Sequence, residues 1–251
     1  MISAVVIIPA RYGSKRFPGK PLALIKGKPM IQHVYERASQ SQLTQEVYVA
    51  VDDARVFDTV EGFGGHAIMT NSTHASGTDR IAEAVERIAF AERIVNVQGD
   101  EPFIEPAMID AVIMALDDPQ ADMSSLACRI IDARALTAPD IVKVVWDSQG
   151  FALYFSRSPI PYYRDAWAGS VVLHEGIVCY QHVGIYGYQR QSLLKLTSLK
   201  PHPLEKAESL EQLRALAYGM KIKMKETPYK TLGIDQPEDI EKALEWQSSS
   251  L

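Results

Sequence analysis

The 251-residue sequence predicts an α/β fold with a mostly parallel, doubly wound sheet and a β-rich insertion. Up to about residue 121, short apolar runs alternate with amphipathic helical stretches, and the connections are short. Beyond that point the sequence becomes rich in β-formers. Strands that alternate with helices pair in parallel, and their carboxyl ends meet at one edge of the sheet, where ligands bind in such folds.

The first part of the chain contains the strands and helices of this sheet. The β-branched run AVVIIPA, residues 4–10, is typical of a strand that is buried on both faces. A helix is predicted from Pro29, in its first turn, to about Ser41. Further strands are expected at EVYVAV, HAIMT and RIVNVQGD, and further helices at residues 54–64, 76–90 and 106–116.

The second part predicts a hairpin, an irregular stretch and a return to alternation. Residues 141–157 form the hairpin, with its turn around residues 148–150, and residues 162–181 have weak periodicity. A strand (HVGIYGY), a helix (QSLLKLTSL), a helix over 204–218 that buries Leu210, Leu213 and Ala217, and a strand (KIKMKET) follow. The last helix starts at Pro237, with Asp235 as its N-cap and Glu238 three residues later.

No internal repeat or low-complexity linker divides the chain. We therefore expect one domain over residues 1–251, with the β-rich portion at about 121–200.

Composition limits the classes of function. The formal net charge of −5 argues against a general nucleic-acid-binding protein, which is usually basic. The amino-terminal run MISAVVIIPA is too short for a signal peptide or a membrane span, and it lacks a basic segment before it. The two cysteines have no metal-ligand spacing, so we expect reduced core residues in a cytoplasmic protein.

A cationic loop follows the first strand. The segment PARYGSKRFPGKPL carries Arg11, Lys15, Arg16 and Lys20 between a strand end and a helix. Backbone N–H groups in such a loop can receive phosphate oxygens, and its glycines permit close approach. The segment matches neither GxxxxGK[ST], the phosphate-loop motif of ATPases, nor GxGxxG, the motif of dinucleotide-binding proteins. The sequence therefore does not favour either of these classes. A solvated basic turn is the alternative.

Other candidate residues also have two interpretations. Asp100 ends the strand NVQGD beside Gly99, where a carboxylate suits Mg²⁺, but it could equally cap a turn. Ser76 or Thr78 could cap the helix that follows or lie beside a nucleotide. Capping alone would also explain Asp235.

Seven motifs in order resemble one family. PARYGSKRFPGKPL, ASGTDRIAEA, NVQGDEP, ALYFSRSPIP, HVGIYGY, LEQLRALAYG and GIDQPEDI are similar to segments of the 3-deoxy-manno-octulosonate cytidylyltransferases, over about residues 4–245. The resemblance implies a Rossmann-like nucleotidyltransferase fold, usually a homodimer, that uses Mg²⁺ and CTP. It also implies transfer of CMP to the anomeric hydroxyl of the sugar acid, with release of pyrophosphate, for lipopolysaccharide biosynthesis.

The resemblance also implies roles for particular residues. Arg11, Lys20 and Asp100 are the expected catalytic residues, and Asp100 and Asp235 the expected metal ligands. The β-rich portion is expected to bind the sugar and to form the dimer. The expected nucleotide-binding residues are Pro9, Ala10, Arg11, Gly13, Ser14, Lys20, Ser76, Gly77, Thr78 and Arg80. The expected sugar-binding residues are Gln98, Arg157, His182, Tyr186, Glu211 and Gln212.

Three alternatives remain open from the sequence. The first is a cytidylyltransferase for a related acid sugar, such as 8-amino-3,8-dideoxy-manno-octulosonate or a sialic acid. The second is a non-catalytic nucleotide-binding protein with the same fold, and the third is a nucleic-acid-binding module. No residue presents itself as a general base, so a metal that lowers the pKa of the sugar hydroxyl is a hypothesis.

Overall fold

A computed structural model of the chain describes residues 3–14, 16–167, 171–173 and 176–249. Two compact units are present: the first comprises Met1–Ile113 with Thr231–Leu251, and the second comprises Met114–Lys230. Lys15 and parts of the stretch 162–181 lie outside the described residues. The single domain predicted over 1–251 stays a prediction.

The first unit contains a parallel sheet with helices between its strands. Strand β1 pairs with β4 on one side and with β6 on the other, and β5 pairs with β4, all in parallel. This confirms the predicted alternation. The elements are β1 (Ala4–Ala10), β2 (Leu24–Ile25), β3 (Lys28–Pro29), α1 (Met30–Ala38), β4 (Glu46–Val51), α2 (Ala54–Gly62), β5 (His66–Met69), α3 (Gly77–Glu86), β6 (Arg93–Asn96) and α4 (Pro106–Ala115).

Strand β1 lies in the core of this unit. Val5, Val6, Ile7 and Ile8 are fully buried, as the uninterrupted apolar run predicts for a central strand. Helix α1 is shorter than predicted and begins at Met30. Pro29 occupies the N-cap position and belongs to the short strand β3, which pairs with β2.

The second unit is β-rich and mostly antiparallel. Strand β10 pairs antiparallel with β7 and β8, β8 pairs antiparallel with β9, and β11 pairs parallel with β7. The predicted hairpin is confirmed, whereas β7 was not predicted. The elements are β7 (Met123–Arg129), α5 (Ala133–Thr137), β8 (Lys143–Trp146), β9 (Ala152–Ser156), β10 (Tyr180–Gln189), α6 (Arg190–Ser198), α7 (Pro203–Glu208), α8 (Gln212–Ala217) and β11 (Ile222–Glu226).

The single helix predicted over 204–218 is wrong. Two short helices, α7 and α8, take its place, because Ser209 adopts a left-handed conformation with φ 52° and ends α7. The break allows Arg214 Nε to donate a hydrogen bond to Glu205 Oε2 at 2.8 Å, a contact that one continuous helix would not make at this spacing. Leu210 and Leu213 are buried as expected, but Ala217 is exposed and Gln212 is buried.

The chain ends in helix α9 (Asp239–Ser249), which belongs to the first unit. The predicted cap at Asp235 is wrong. The side chain of Asp239 accepts hydrogen bonds from the N–H groups of Asp235 and Gln236 instead. Asp235 is therefore free to place its carboxylate elsewhere. Among the described helices, none has the length and apolar character that crossing a bilayer requires.

Candidate active site

The cationic loop (residues 11–20) leaves the carboxyl end of β1 and is anchored by a buried ion pair. The N–H of Tyr12 donates to Asp52 Oδ1 at 3.0 Å, at the end of β4. Arg80 of α3 donates to the other oxygen of Asp52 at 2.9 Å and to the hydroxyl of Thr70 at 2.6 Å. Because Arg80 is 2% exposed and paired, its guanidinium holds the start of the loop in place.

Two glycines set the path of the backbone around this loop. Gly19 has φ +72°, a backbone conformation that residues with a side chain rarely adopt. A Cβ on Gly99 would lie 2.8 Å from the carbonyl oxygen of Pro9, which is closer than van der Waals contact allows. Glycine at 99 therefore permits the chain that follows β6 to pass directly against the end of β1. Gly13, in contrast, has open space around it.

Lys20 joins two carboxylates from distant parts of the sequence. Its ammonium donates to Asp100 Oδ2 at 2.8 Å and to Asp235 Oδ1 at 3.3 Å. Arg16 makes a third contact, from Nη2 to Asp235 Oδ2 at 3.0 Å. The side chain of Lys20 is 14% exposed, whereas that of Asp235 is 47% exposed. The cluster is thus a mixed-charge group that remains accessible from solvent.

The two acid-bearing segments are held together by their own backbone and a buried carboxyl group. The N–H of Ile234 donates to the carbonyl of Asp100 at 2.9 Å, and the side chain of Thr231 bonds Glu101. Glu101 is 8% exposed, and its Oε2 has no hydrogen-bond partner among the described residues. Burial, with the neighbouring charge of Asp100, raises the pKa of Glu101 to about 8.

An open cleft of about 480 Å³ lies over this cluster. It contains the end of β1, part of the cationic loop and both carboxylates, and the cations Arg11, Arg16 and Lys20 in its lining are groups that can bind a polyphosphate. The lining residues are Pro9, Ala10, Arg11, Gly13, Ser14, Arg16, Lys20, Pro21, Gln98, Gly99, Asp100 and Asp235.

A second cavity, of about 130 Å³, shares Pro9, Arg11 and Gln98 with the cleft. Its remaining lining comes from the amino end of α3 and the residues before it: His74, Ala75, Ser76, Gly77 and Arg80. Ser76 caps α3 by accepting from the N–H of Asp79 at 3.1 Å, and the Asp79 carboxylate accepts from the N–H of Ser76 at 3.2 Å. Arg11 Nη2 donates to the carbonyl of His74 at 3.3 Å. Thr78 is buried.

In the second unit, His182 and Tyr186 lie on one face of β10. Their ring centroids are 5.3 Å apart, and Phe155 packs edge-on against His182 at 5.0 Å. Burial lowers the pKa of His182 to about 3, so the imidazole is neutral. Burial and the nearby Tyr188 and Glu211 raise the pKa of Tyr186 well above its usual value.

Arg157 is held by backbone carbonyl groups of the second unit. Its Nε donates to Glu208 at 2.6 Å and its Nη1 donates to Pro139 at 2.7 Å. Gln212 is buried at the start of α8, and Glu211 lies 3.7 Å from Arg214. The sugar-binding roles of these residues stay predictions.

The structure therefore gathers most of the residues predicted to bind nucleotide and metal. Pro9, Ala10, Arg11, Gly13, Ser14, Lys20, Asp100 and Asp235 line one cleft, and Ser76, Gly77 and Arg80 line the cavity beside it. Gln98, predicted to bind sugar, lines both. Sequence reasoning missed Asp52 and Glu101. Asp52 directly follows β4 at the ligand-binding edge of the sheet, and that position could have identified it.

The paired carboxylates fit a magnesium ion. Among the described residues, no group of three or more His, Cys, Asp or Glu side chains could hold a metal. Mg²⁺, however, usually takes one or two protein carboxylates and completes its shell with phosphate and water oxygens. Asp100 and Asp235, drawn together by one lysine beside a cationic cleft, are a donor set of that kind.

A parallel sheet with a cationic glycine loop at its carboxyl edge and a facing pair of carboxylates is the arrangement of a nucleotidyltransferase. The family model described as "Cytidylyltransferase" matches residues 5–222. The chain belongs to the cytidylyltransferase family.

Three relatives place it more closely within the family. A 3-deoxy-manno-octulosonate cytidylyltransferase of Geobacter sulfurreducens is 50% identical, over 97% of this chain and 99% of its own length. One from Geobacter metallireducens is 51% identical, over 95% of each chain. The solved structure of a CMP:2-keto-3-deoxy-manno-octonic acid synthetase, complexed with CTP, is 45% identical with a TM-score of 0.91, and the match covers 99% of this chain and 100% of that one.

These comparisons confirm the predicted family and fold class. The 3-deoxy-manno-octulosonate cytidylyltransferases, to which the sequence motifs are similar, are the curated relatives at about 50% identity. The high TM-score extends the nucleotidyltransferase fold over nearly the whole chain.

Proposed function

We propose that this protein transfers CMP from CTP to 3-deoxy-manno-octulosonate and releases pyrophosphate. One observation carries the proposal: Lys20 joins Asp100 and Asp235 beneath a cleft lined by the cationic loop. Relatives at 50% and 51% identity bear the name of this activity, and the similar solved structure contains CTP.

The reaction is an in-line displacement at the α-phosphorus of CTP. The anomeric hydroxyl of the sugar acid forms the new P–O bond and loses its proton, while the bond from the α-phosphorus to the bridging oxygen breaks. Pyrophosphate leaves with that electron pair. Enzymes catalyse such transfers chiefly by positioning the reactants and by stabilising charge.

The cations of the loop stabilise the negative charge of the phosphates in this reaction. Arg11, Arg16 and Lys20 line the cleft, so a triphosphate there lies among three positive side chains. As the P–O bond breaks, negative charge grows on pyrophosphate, and a fixed ammonium or guanidinium group stabilises it more than it stabilises bound CTP. Lys20 has the least freedom of the three, because it is mostly buried and held by two carboxylates.

We propose that Asp100 and Asp235 hold Mg²⁺ in the working enzyme. A bound Mg²⁺ would neutralise phosphate charge and lower the pKa of a coordinated hydroxyl. The contacts of Ile234 and Thr231 with the Asp100–Glu101 turn keep the two carboxylates close before any ion arrives.

The cavity beside the cleft is our candidate for the cytosine base. It continues from the cleft through Pro9, Arg11 and Gln98, and the capped amino end of α3 borders it. Its volume of about 130 Å³ suits a single planar ring better than a larger group. The sugar-acid assignment rests on the named relatives, which favour 3-deoxy-manno-octulosonate over its 8-amino analogue.

We also propose that the protein is a cytoplasmic homodimer that supplies lipopolysaccharide biosynthesis. The family resemblance motivates the dimer and the role in lipopolysaccharide biosynthesis. Sedimentation velocity on the purified protein tests the dimer: a single species at about 28 kDa, close to the 27.9 kDa of one chain, would contradict it.

A pyrophosphate-release assay tests the proposed activity. Each of the four nucleoside triphosphates is combined with 3-deoxy-manno-octulosonate, its 8-amino analogue or a sialic acid, with and without Mg²⁺. We expect release with CTP and 3-deoxy-manno-octulosonate in the presence of Mg²⁺. Faster release with another sugar acid would replace the proposed substrate, and no release with any combination would support a non-catalytic nucleotide-binding protein.

A further inference from the structure

Ser125 lies beneath His182 in the second unit and bears on how that histidine meets a ligand. Ser125 is fully buried in β7, opposite β10. Strand β10 has a β-bulge between Val183 and Tyr186, so its register against β7 shifts there. The bulge leaves the Ser125 hydroxyl within hydrogen-bond distance of three groups on β10. They are His182 Nε2 at 2.8 Å, the carbonyl of Ile185 at 2.8 Å and the carbonyl of Val183 at 3.2 Å.

The hydrogen-bond inventory of serine decides how these contacts are arranged. A hydroxyl has one hydrogen to donate, whereas its oxygen can accept through two lone pairs. The two carbonyls can only accept. If the Ser125 hydrogen pointed at His182, the Ser125 oxygen would face the Ile185 oxygen at 2.8 Å without a hydrogen between them, which is repulsive. The Ser125 hydroxyl therefore donates to a carbonyl group and accepts from His182 Nε2–H.

This arrangement assigns the histidine tautomer. A neutral imidazole with its hydrogen on Nε2 has a lone pair on Nδ1, and that nitrogen can only accept a hydrogen bond. Within the part of the chain that the structure describes, Nδ1 of His182 has no hydrogen-bond partner. His182 is partly exposed, so a ligand can reach it.

We propose that Ser125 is a positioning residue that fixes His182 in the Nε2–H tautomer, so that Nδ1 accepts a hydrogen bond from a hydroxyl group of the acceptor substrate. The inference rests on the proposed function for the identity of that substrate, a polyhydroxylated sugar acid. His182 then recognises a neutral donor of the substrate and supplies no charge to its carboxylate. Desolvation of the partly exposed ring by its neighbours lowers its pKa to about 3, which is consistent with a neutral role for His182.

The test begins with the unaltered protein. Long-range ¹H–¹⁵N correlation spectra of histidine-labelled protein distinguish the two neutral tautomers and the charged imidazolium. Six histidines are present, and a His182→Gln variant assigns the signal. We expect the Nε2–H tautomer at pH 7.5. An Nδ1–H tautomer or an imidazolium at that pH overturns the proposal, whatever the enzyme's activity.

Variants of Ser125 test the consequence for the substrate. Ser125→Ala removes the acceptor and Ser125→Thr keeps it, while Ser124→Ala is a matched control for a buried serine on the same strand. In Ser125→Ala we expect loss of the single tautomer and a KM for the sugar acid raised roughly 10-fold, the size of one hydrogen bond, with the KM for CTP unchanged. Ser125→Thr restores both readouts, and Ser124→Ala leaves the tautomer of His182 unchanged.

The outcomes separate this inference from the proposed function. A tautomer lost in Ser125→Ala with an unchanged KM for the sugar acid overturns the role of Nδ1. Equal rises in the KM for CTP and for the sugar acid indicate a general structural effect and also overturn it. If the unaltered protein transfers CMP to no sugar acid, the proposed function fails, while the tautomer measurement still decides whether Ser125 orients His182.

Discussion

The nucleotide cleft of the first unit and the His182 region of the second unit use polar residues in opposite ways. In the cleft, Lys20, Asp100 and Asp235 are charged, and they satisfy each other through ion pairs that are open to solvent. A charged ligand can take over such pairs because the exchange leaves every charge compensated. Around His182 and Tyr186, desolvation by the neighbouring residues keeps both partly exposed side chains neutral.

A similar difference holds between one lysine of each unit, Lys20 and Lys143. Lys20 contacts carboxylates, whereas Lys143 of β8 is fully buried and donates to the backbone carbonyl groups of Ala138, Ile141 and Arg157. Backbone carbonyls cannot move away to a ligand as a side chain can. We conclude that the Lys20 cluster supplies exchangeable charge for phosphate chemistry, and that Lys143 supplies fixed hydrogen bonds.

Removal of the Asp100 charge should have the largest effect. We expect Asp100→Asn to lower Mg²⁺-dependent turnover about 1,000-fold while the fold remains intact, because one of the two proposed metal ligands is lost. Pyrophosphate release and circular dichroism measure the two quantities. Asp58→Asn, an exposed acid on helix α2, is the control. Near-normal turnover in Asp100→Asn would remove Asp100 from the metal site.

Removal of the Lys20 ammonium should have the second largest effect on activity. We expect Lys20→Ala to reduce kcat/KM for CTP about 100-fold, because an ammonium placed against the leaving pyrophosphate is lost. Lys28→Ala removes a lysine that forms an exposed ion pair with Glu36, and should change kcat/KM little. A rate that stays unaffected at every CTP concentration in Lys20→Ala would count against the loop assignment.

Lys143 tests whether fixed hydrogen bonds hold the second unit. Lys143→Met leaves three carbonyl groups without their shared donor, and we expect a loss of about 2–4 kcal/mol in the free energy of unfolding. Lys28→Met, which breaks an exposed ion pair, should cost less than about 1 kcal/mol. Denaturant unfolding measures both. Equal losses of unfolding free energy in the two variants would mean that the buried hydrogen bonds of Lys143 stabilise the fold no more than an exposed ion pair does.

Glu101 predicts a pH effect on the stability of the first unit. Its pKa in the folded protein is about 8, above the ordinary 4.5, so the folded state prefers the neutral acid. Its contribution to stability is complete below pH 4.5 and is lost as the pH rises to 8. Without Mg²⁺, the unaltered protein should lose about 2–3 kcal/mol relative to Glu101→Gln between pH 6 and pH 9. If the free energy of unfolding changes with pH in the same way for the two proteins, the pKa of Glu101 is not raised in the folded state.

Local sequence patterns predicted the sheet of the first unit and its cationic loop well. Strand β1 was predicted with its observed bounds. An apolar β-branched run that is followed by a glycine-containing loop commonly folds as a buried strand that ends where the loop begins. The approach of Asp100 to Asp235 is different. These residues lie far apart in the sequence, and only the family resemblance placed them together.

Each of the failures has its own physical cause. Asp235 looked like a helix cap, but Asp239 caps the same N–H groups and leaves Asp235 to Lys20 and Arg16. The helix over 204–218 looked continuous, but a left-handed Ser209 and the buried Arg214–Glu205 pair divide it. Ser125 has no sequence signal, because its role depends on a bulge in another strand. Local competitors decided the first two cases, whereas a contact between residues distant in sequence decided the third.

The central claim is that Asp100 and Asp235 exchange their contacts with Lys20 for a metal ion that binds the phosphates of CTP. Calorimetric titration of CTP, with and without Mg²⁺, tests it directly in the unaltered protein and in the Asp100→Asn/Asp235→Asn double variant. We predict that Mg²⁺ strengthens CTP binding at least about 10-fold in the unaltered protein and has no such effect in the double variant. The same Mg²⁺ effect in both proteins would contradict the account.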